Sequence, residues 1–466
     1  MARPRITPTN VERPFDLREL FFSSTDLKGI IRGGNDVFVR VSGYTEAELV
    51  GEPHNVIRHP DMPRAVFQLL WDYIQAGRPI AAYVKNLAKD GGYYWVLATV
   101  VGIDGGYLSV RLKPSAGLLP VVEGAYADLV KIERRIEGAG GMPKDAIAAS
   151  TAALLEVLPE LGFADYDAFM RHVLPVELAS RHEQIAHGGR SQATGGRRAS
   201  MELEQMRVAS GTLTDFFYEQ FASRDRYIGL LDTFADKAAF ILGFSDDVQL
   251  SSLNAQIAAA RLRDSGASLG AVADLMHIRS NATAETIDSM SSEIDAMRGL
   301  QETLVLDLAI ATLQSEAIGQ FVDELIERGA SRRGDEDGAI DTTPINVAAL
   351  AARLRSDIAP MLEVLDGLEA RFGRMVGAGE QLEWELRQLG ALQVAGRVES
   401  AHLDTAQDFR VIFEEIRGRI AVAATELASL RVGRDVLDQI RDGRASTATA
   451  RSLDRIGRWA DGMAAA

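Results

Sequence analysis

Twelve of the fourteen prolines in this 466-residue chain lie before residue 176, and only Pro344 and Pro360 follow. Proline removes a backbone donor and clashes with the preceding helical turn, so a proline-rich stretch cannot form long helices. A stretch of 168 residues without proline, Val176 to Thr343, can. Aromatic residues thin out across the same boundary. The expected fold is therefore an α+β, turn-rich front followed by an all-α back. A chain this long exceeds one hydrophobic core and divides into two or more structural units.

Composition narrows the function classes. The formal net charge of −16 argues against non-specific binding to nucleic acid or anionic membrane. With no cysteine, disulfides and thiolate metal sites are excluded. The longest uncharged runs, Gly91 to Ile103 and Val248 to Ala260, fall short of the ~18 residues a membrane span needs. The N-terminal arginines have no apolar segment behind them. The expectation is a cytoplasmic protein without nucleic-acid or membrane partners.

The front alternates short strands and helices. LFFSSTD and GIIRGGN read as strands joined by a turn at Asp26 to Gly29. DVFVRVSG, TEAELVG with Thr45 as N-cap, and PRAVFQLLWDYIQAG starting at Pro63 read as helices. IAAYVKNLAK, YYWVLATVVGI and GYLSVRLK read as a three-strand meander. Its turns are the triplets at Asp90 and Asp104.

The segment Pro53 to Pro63, PHNVIRHPDMP, sets two histidines, an arginine and an aspartate between three prolines. Pinned backbone with projecting polar groups suits a polar ligand. Together with SSTDLKGII, Asn35-Asp36, VSGYTEAELVGEPHNVIRHPDMPRAVF and VKNLAKDGGYYWV, it resembles the PAS domain of the bacterial aerotaxis receptor family from about Phe21 to Lys113. That resemblance implies FAD as cofactor. Arg58, His59 and Asp61 fall on motif positions implicated in holding it, and Asn35 and Asn86 match further polar positions. Arginine suits the pyrophosphate, and asparagine amides suit the paired edge of the ring. The family's flavin-associated tryptophan is Ile80 here. An empty domain in which Arg58 and Asp61 pair with each other, and haem on His59 or His54, stand as alternatives. Trp71 and Trp95 read as core packing.

Behind the front, AYADLVKIERRIEG reads as an exit helix, followed by helices broken at Pro159 and Pro175. After Ser280, Ile287, Met290, Ile294, Met297, Gln301, Leu304, Leu308, Ala311, Ser315, Ile318, Val322 and Leu325 alternate in steps of three and four, the spacing of a coiled-coil seam. Phe413, Ile416, Ile420, Ala423, Leu427 and Leu430 form a second stripe.

SLNAQIAAARLRDSGASLGAVADLMHIRS, Ser252 to Ser280, resembles the cytoplasmic tip of methyl-accepting chemotaxis receptors, with Asn254, Arg261, Gly266 and Asp274 among the matching signalling positions. Ala258, Leu275 and His277 replace the family's two glutamates and its arginine. FRVIFEEIR and VESAH suggest a second, degenerate tip. The expected organisation is a PAS sensor domain over 18–115, connecting helices over 118–186 and a linker over 187–200. A first hairpin over 201–328 turns near 265. A second linker over 329–344 leads to a second hairpin over 345–461 that turns near 405. Two hairpins would form a coiled-coil four-helix bundle, either as a monomeric pseudo-dimer or in a homodimer. The resemblance implies a chemotaxis coupling protein, histidine kinase or other chemoreceptors as partners. No nucleophile–base pair or phosphate loop stands out, so the protein is expected not to be an enzyme. A non-sensing interaction scaffold is the competing class.

Overall fold

The computed structural model describes residues 6–187, 201–262, 266–331, 343–402, 407–428 and 447–465. Most of both expected linkers, the two turns near 265 and 405, and Leu430 lie outside the described residues. The chain divides into two compact units. One comprises Met1–Glu219, Thr303–Met361 and Ser446–Ala466, and the other Gln220–Glu302 and Leu362–Ala445.

The first unit is built on five antiparallel strands: β1 (Phe21–Asp26), β2 (Ile31–Gly34), β3 (Ile80–Leu87), β4 (Tyr93–Ile103) and β5 (Gly106–Leu112). Their order in the sheet is β2-β1-β5-β4-β3. The hairpins close where expected, and Gly91 and Gly105 take φ of 90° and 70°, which a side chain would resist. Between β2 and β3 run α1 (Asp36–Ser42), α2 (Glu46–Leu49), a 3₁₀ turn (His54–Ile57) and α3 (Arg64–Gln75). Thr45 opens α2 in a capping box, its amide donating to Glu48 Oε2 at 2.9 Å. Pro63 precedes α3 as its N-cap residue.

Strand side chains alternate between faces. One face of the sheet looks at α3 and the 3₁₀ turn. Against β3 pack α4 (Leu119–Gly138) and α6 (Tyr166–His187), while α5 (Pro143–Glu160) packs on α3 and α4. The Tyr126 hydroxyl of α4 donates to the Tyr83 carbonyl at 3.1 Å, and that of Tyr166 to the Ala81 carbonyl at 3.0 Å. Pro159 lies in the last turn of α5. Pro175, expected to break a helix, does not: α6 runs through it. The lost amide hydrogen bond is offset by burial of Met170, Val173, Leu174 and Leu178 on either side.

Four long helices contribute to this unit: α7 (Met201–Arg261), α8 (Ala267–Ser331), α9 (Thr343–Ala401) and α11 (Thr447–Ala465), with α10 (Gln407–Ala428) in the other unit. Phe321 of α8 meets Phe22 of β1 edge-on at 4.6 Å, and Arg353 of α9 donates to the Gly102 carbonyl at 2.8 Å. Arg181 of α6 pairs with Glu316 of α8. Of the twelve seam positions on α8, all but Gln301 and Leu325 are buried.

The second unit is a four-helix arrangement whose registry is read from its polar pairs. Between α7 and α8 they step away from the turn as Gln256–Asp274, Ser245–Ser280 and Asp232–Arg298, so the two helices are antiparallel. Ser400–Arg410, Arg397–Glu414 and Gln393–Phe413 do the same for α9 and α10. Ser268–Glu399, Arg279–Glu385 and Glu293–Arg371 set α8 antiparallel to α9, and Asp247–Arg419 and Lys237–Glu426 set α7 antiparallel to α10. Four helices of one chain thus share this bundle, with the C-terminal ends of α7 and α9 and the N-terminal ends of α8 and α10 together at one end. Because one chain covers both sides of each seam, the protein is expected to scatter light as a monomer at micromolar concentration. A dominant dimer whose helicity melts on dilution would contradict this.

Candidate functional site

The inner face of the sheet, α3 and the proline-pinned segment enclose a cavity of about 250 Å³. Its floor is Ser23 and Thr25 of β1, Val84 and Asn86 of β3, Ala98 and Val100 of β4, and Tyr107, Ser109 and Arg111 of β5, every second residue of each strand. Phe67, Leu70, Trp71 and Ile74 of α3 form an apolar wall. His54, Asn55, Arg58 and Lys28 line the remaining side.

Arg111 is the most demanding of these residues. It is 4% exposed, and its guanidinium donates to Ser23 Oγ at 2.8 Å and to His54 Nε2 at 2.7 Å. Its Nη1 has no partner among the described residues, and no carboxylate lines the cavity. Burial lowers its pKa to about 10, which leaves it cationic at neutral pH. Two further donors facing the cavity are unpartnered: Asn86 Nδ2 and Ser109 Oγ, on residues 2% and 6% exposed. Buried polar groups are ordinarily satisfied. Three orphans around one cavity, all able to donate, mark it as built for a ligand edge rich in acceptors or negative charge.

His54 is half-buried at the cavity wall, and burial first, then the Arg111 charge, push its pKa down to about 3. It is neutral in the fold and accepts from Arg111. The unfolded chain, with a histidine near its ordinary value, binds the proton the fold refuses. Stability is therefore lost as pH falls below about 6.5, by about 2 kcal/mol at pH 5 from this residue alone. Denaturant titrations at pH 7 and pH 5 should show that loss, and a His54→Phe variant should show less of it.

Two of the five residues expected to hold the cofactor come together in the cavity. Arg58 and Asn86 are backbone partners in an isolated antiparallel bridge, which sets their side chains next to each other. Arg58 donates to the Met62 carbonyl at 2.9 Å and lies 4.4 Å over the Phe67 ring. It does not pair with Asp61. Asp61 is half-exposed and outside the cavity, where it pairs with Arg134 at 3.0 Å and Lys85 at 3.8 Å. His59 is buried beside Tyr93 rather than in the cavity, and its Nδ1 accepts from the Asp61 amide at 3.1 Å. Asn35 is a capping and docking residue: its Oδ1 accepts from the amides of Phe22 and Phe38, at 3.0 and 3.2 Å. Its short side chain is consumed by the start of α1. Trp95 is buried against Tyr126, whereas Trp71, expected in the core, lines the cavity. Ile80 is buried at the start of β3 and does not line it.

Sequence reasoning overlooked Ser109 and Arg111. Their signal was present: in GYLSVRLK, Tyr107, Ser109 and Arg111 alternate with apolar residues, which sends two polar side chains inward from a central strand.

At the first tip, Asn254, Arg261 and Asp274 are exposed, with Gln256 donating to Asp274 at 2.7 Å. Gly266 is buried, and a Cβ there would lie 2.4 Å from the Ala259 carbonyl. Among the described residues no histidine–carboxylate cluster forms a metal site, and no helix is long and apolar enough to cross a membrane.

Residues 34–109 match the family model of the PAS fold. The chain is a PAS domain followed by a chemoreceptor-like helical region. Its front is similar to an aerotaxis receptor of Escherichia coli (strain K12), 41% identical over 133 residues, which is 28% of this chain and 26% of that protein. A nitrogen fixation regulatory protein of Klebsiella pneumoniae is 31% identical over 74 residues, 16% of this chain and 15% of that one. The methyl-accepting chemotaxis protein McpP of Pseudomonas putida is 25% identical over 236 residues, half of this chain and 40% of McpP. The chain spans well under half the length of each of these relatives.

Proposed function

We propose that the protein is a cytoplasmic, non-enzymic redox or oxygen sensor of aerotaxis-receptor type. It holds FAD in the PAS cavity and signals through its chemoreceptor-like helices to a coupling protein and histidine kinase. The observation that carries this reading is the set of unpartnered donors, Asn86 Nδ2, Ser109 Oγ and Arg111 Nη1, in a cavity without a carboxylate. The flavin ring offers carbonyl and nitrogen acceptors on one edge and a flat apolar body, for which α3 supplies Phe67 and Trp71. Arg58 and Lys28 are the cations for its phosphates. Bound flavin would supply one- or two-electron redox chemistry. The neutral His54 and cationic Arg111 then face a group whose charge depends on its redox state, and Ser23 and Asn86 tie that change to β1 and β3.

Haem fits less well. His54 Nε2 is taken by Arg111, and His59 does not line the cavity. Titrating cofactor-free protein with FAD tests the cavity assignment: saturable quenching of flavin fluorescence supports it, and its absence at excess protein opposes it. Output is tested separately by pull-down with a chemotaxis coupling protein and kinase. No association, with unaltered motility on deletion, would favour the scaffold reading, given Ala258 and Leu275 at the tip.

A further inference from the structure

Three helices outside the sheet each bury one glutamate against the PAS domain. Glu133 of α4 accepts from the amides of Arg64 and Ala65, at 2.8 and 3.2 Å, and so caps α3, whose own N-cap residue is a proline. Glu177 of α6 accepts from the amides of Ser115 and Ala116, at 2.6 and 2.9 Å, and from the Tyr83 hydroxyl at 2.6 Å. Glu324 of α8 accepts from Asn35 Nδ2 and Gln320 Nε2, both at 3.0 Å.

The third differs in the balance of its donors. Glu133 and Glu177 satisfy backbone amides that would be stranded in the interior without them. Glu324 is met mainly by side-chain donors, with the Asp36 amide at the start of α1 as a weaker backbone partner, and Asn35 Nδ2 already has the Leu20 carbonyl at 2.8 Å. Glu324 Oε2 is buried without a partner among the described residues. Burial, and to a lesser degree the neighbouring Asp36 carboxylate, raises the Glu324 pKa against the pull of Gln320, Asn35 and the Asp36 amide. A buried, half-satisfied carboxylate regains water when its contact opens, while Asn35 keeps a partner.

The contact also sits at the end of a short route from the cavity. Arg111 holds Ser23, the preceding residue, Phe22, donates its amide to Asn35 Oδ1, and Asn35 meets Glu324.

We propose that the Asn35–Glu324 contact is a latch, at which α8 can leave the PAS domain while Glu133 and Glu177 keep α4 and α6 attached. Leu20 and Gln320, whose backbone and amide bond each other at 2.7 and 2.9 Å, and the Phe22–Phe321 ring pair complete the docked face. Glu324 is a positioning residue here, acting on α8 through Asn35.

The absence of cysteine makes the test direct. Leu27→Cys and Asp323→Cys, both at exposed positions, place spin labels on the two sides of the latch in the full chain. Without further change the dipolar distance distribution is expected to be narrow. Glu324→Ala should add a second, longer population in roughly a tenth or more of the molecules, and Gln320→Ala should do the same. Glu324→Gln keeps an acceptor for Asn35 and should restore the narrow distribution. An unchanged distribution in both alanine variants would overturn the latch. So would loss of the PAS fold in Glu324→Ala, because the contact would then be structural. Neither outcome depends on whether the cavity takes flavin.

Discussion

Replacing Arg111 with methionine is expected to move stability and ligand binding in opposite directions. A buried guanidinium without a carboxylate carries a desolvation cost of several kcal/mol, only part of which Ser23 and His54 return. Methionine fills similar volume without the charge, so the ligand-free domain should gain about 1 kcal/mol, or roughly 4–8 °C in Tm. Flavin affinity should fall by about 10- to 150-fold, the range for one charge-assisted hydrogen bond. Asp61→Asn, outside the cavity, should change affinity by no more than a few-fold. Differential scanning calorimetry and FAD titration of the two variants check both signs. A destabilised Arg111→Met that still binds flavin tightly would assign Arg111 to the fold alone.

Glu177→Ala should be the most destabilising single change in the PAS unit. Glu177 is wholly buried, and removing it strands two backbone amides and the Tyr83 hydroxyl together. Leaving such a cluster unpaired costs about 3–5 kcal/mol, a large share of a domain's stability of roughly 5–15 kcal/mol. Circular dichroism melts should show the sheet's transition falling steeply. Glu177→Gln can accept only part of that set and should lie between. A loss below about 1 kcal/mol, the level of a single neutral hydrogen bond, would mean that water enters and satisfies these groups.

The fold was legible where local rules and burial agree. β-branched and aromatic alternation, the Asp-Gly-Gly turns and the Thr45 capping box each specify one backbone conformation, and the α8 seam follows from heptad spacing alone. Pro175 was misread because propensity is local, whereas the packing of α6 on the sheet is not. The cavity was legible in part. PHNVIRHPDMP announces unusual chemistry through its composition, but composition does not say which way each side chain points. Arg58 turns inward because its backbone pairs with Asn86, while Asp61, three residues on, faces solvent and Arg134. Asn35 carried two possible meanings, ligand contact and helix cap. Only the placement of α8, nearly three hundred residues later, shows it as a cap that also docks a helix. Arg111 lay in an ordinary-looking strand, and its importance rests on the absence of a nearby carboxylate in three dimensions.

The central claim is that this cavity takes a flavin, and the absorption spectrum of the purified full-length chain tests it most directly. The account predicts a yellow protein with the paired near-ultraviolet and blue bands of an oxidised flavin, released as FAD on denaturation. A colourless protein that stays cofactor-free after incubation with excess FAD would contradict it, as would a single intense Soret band.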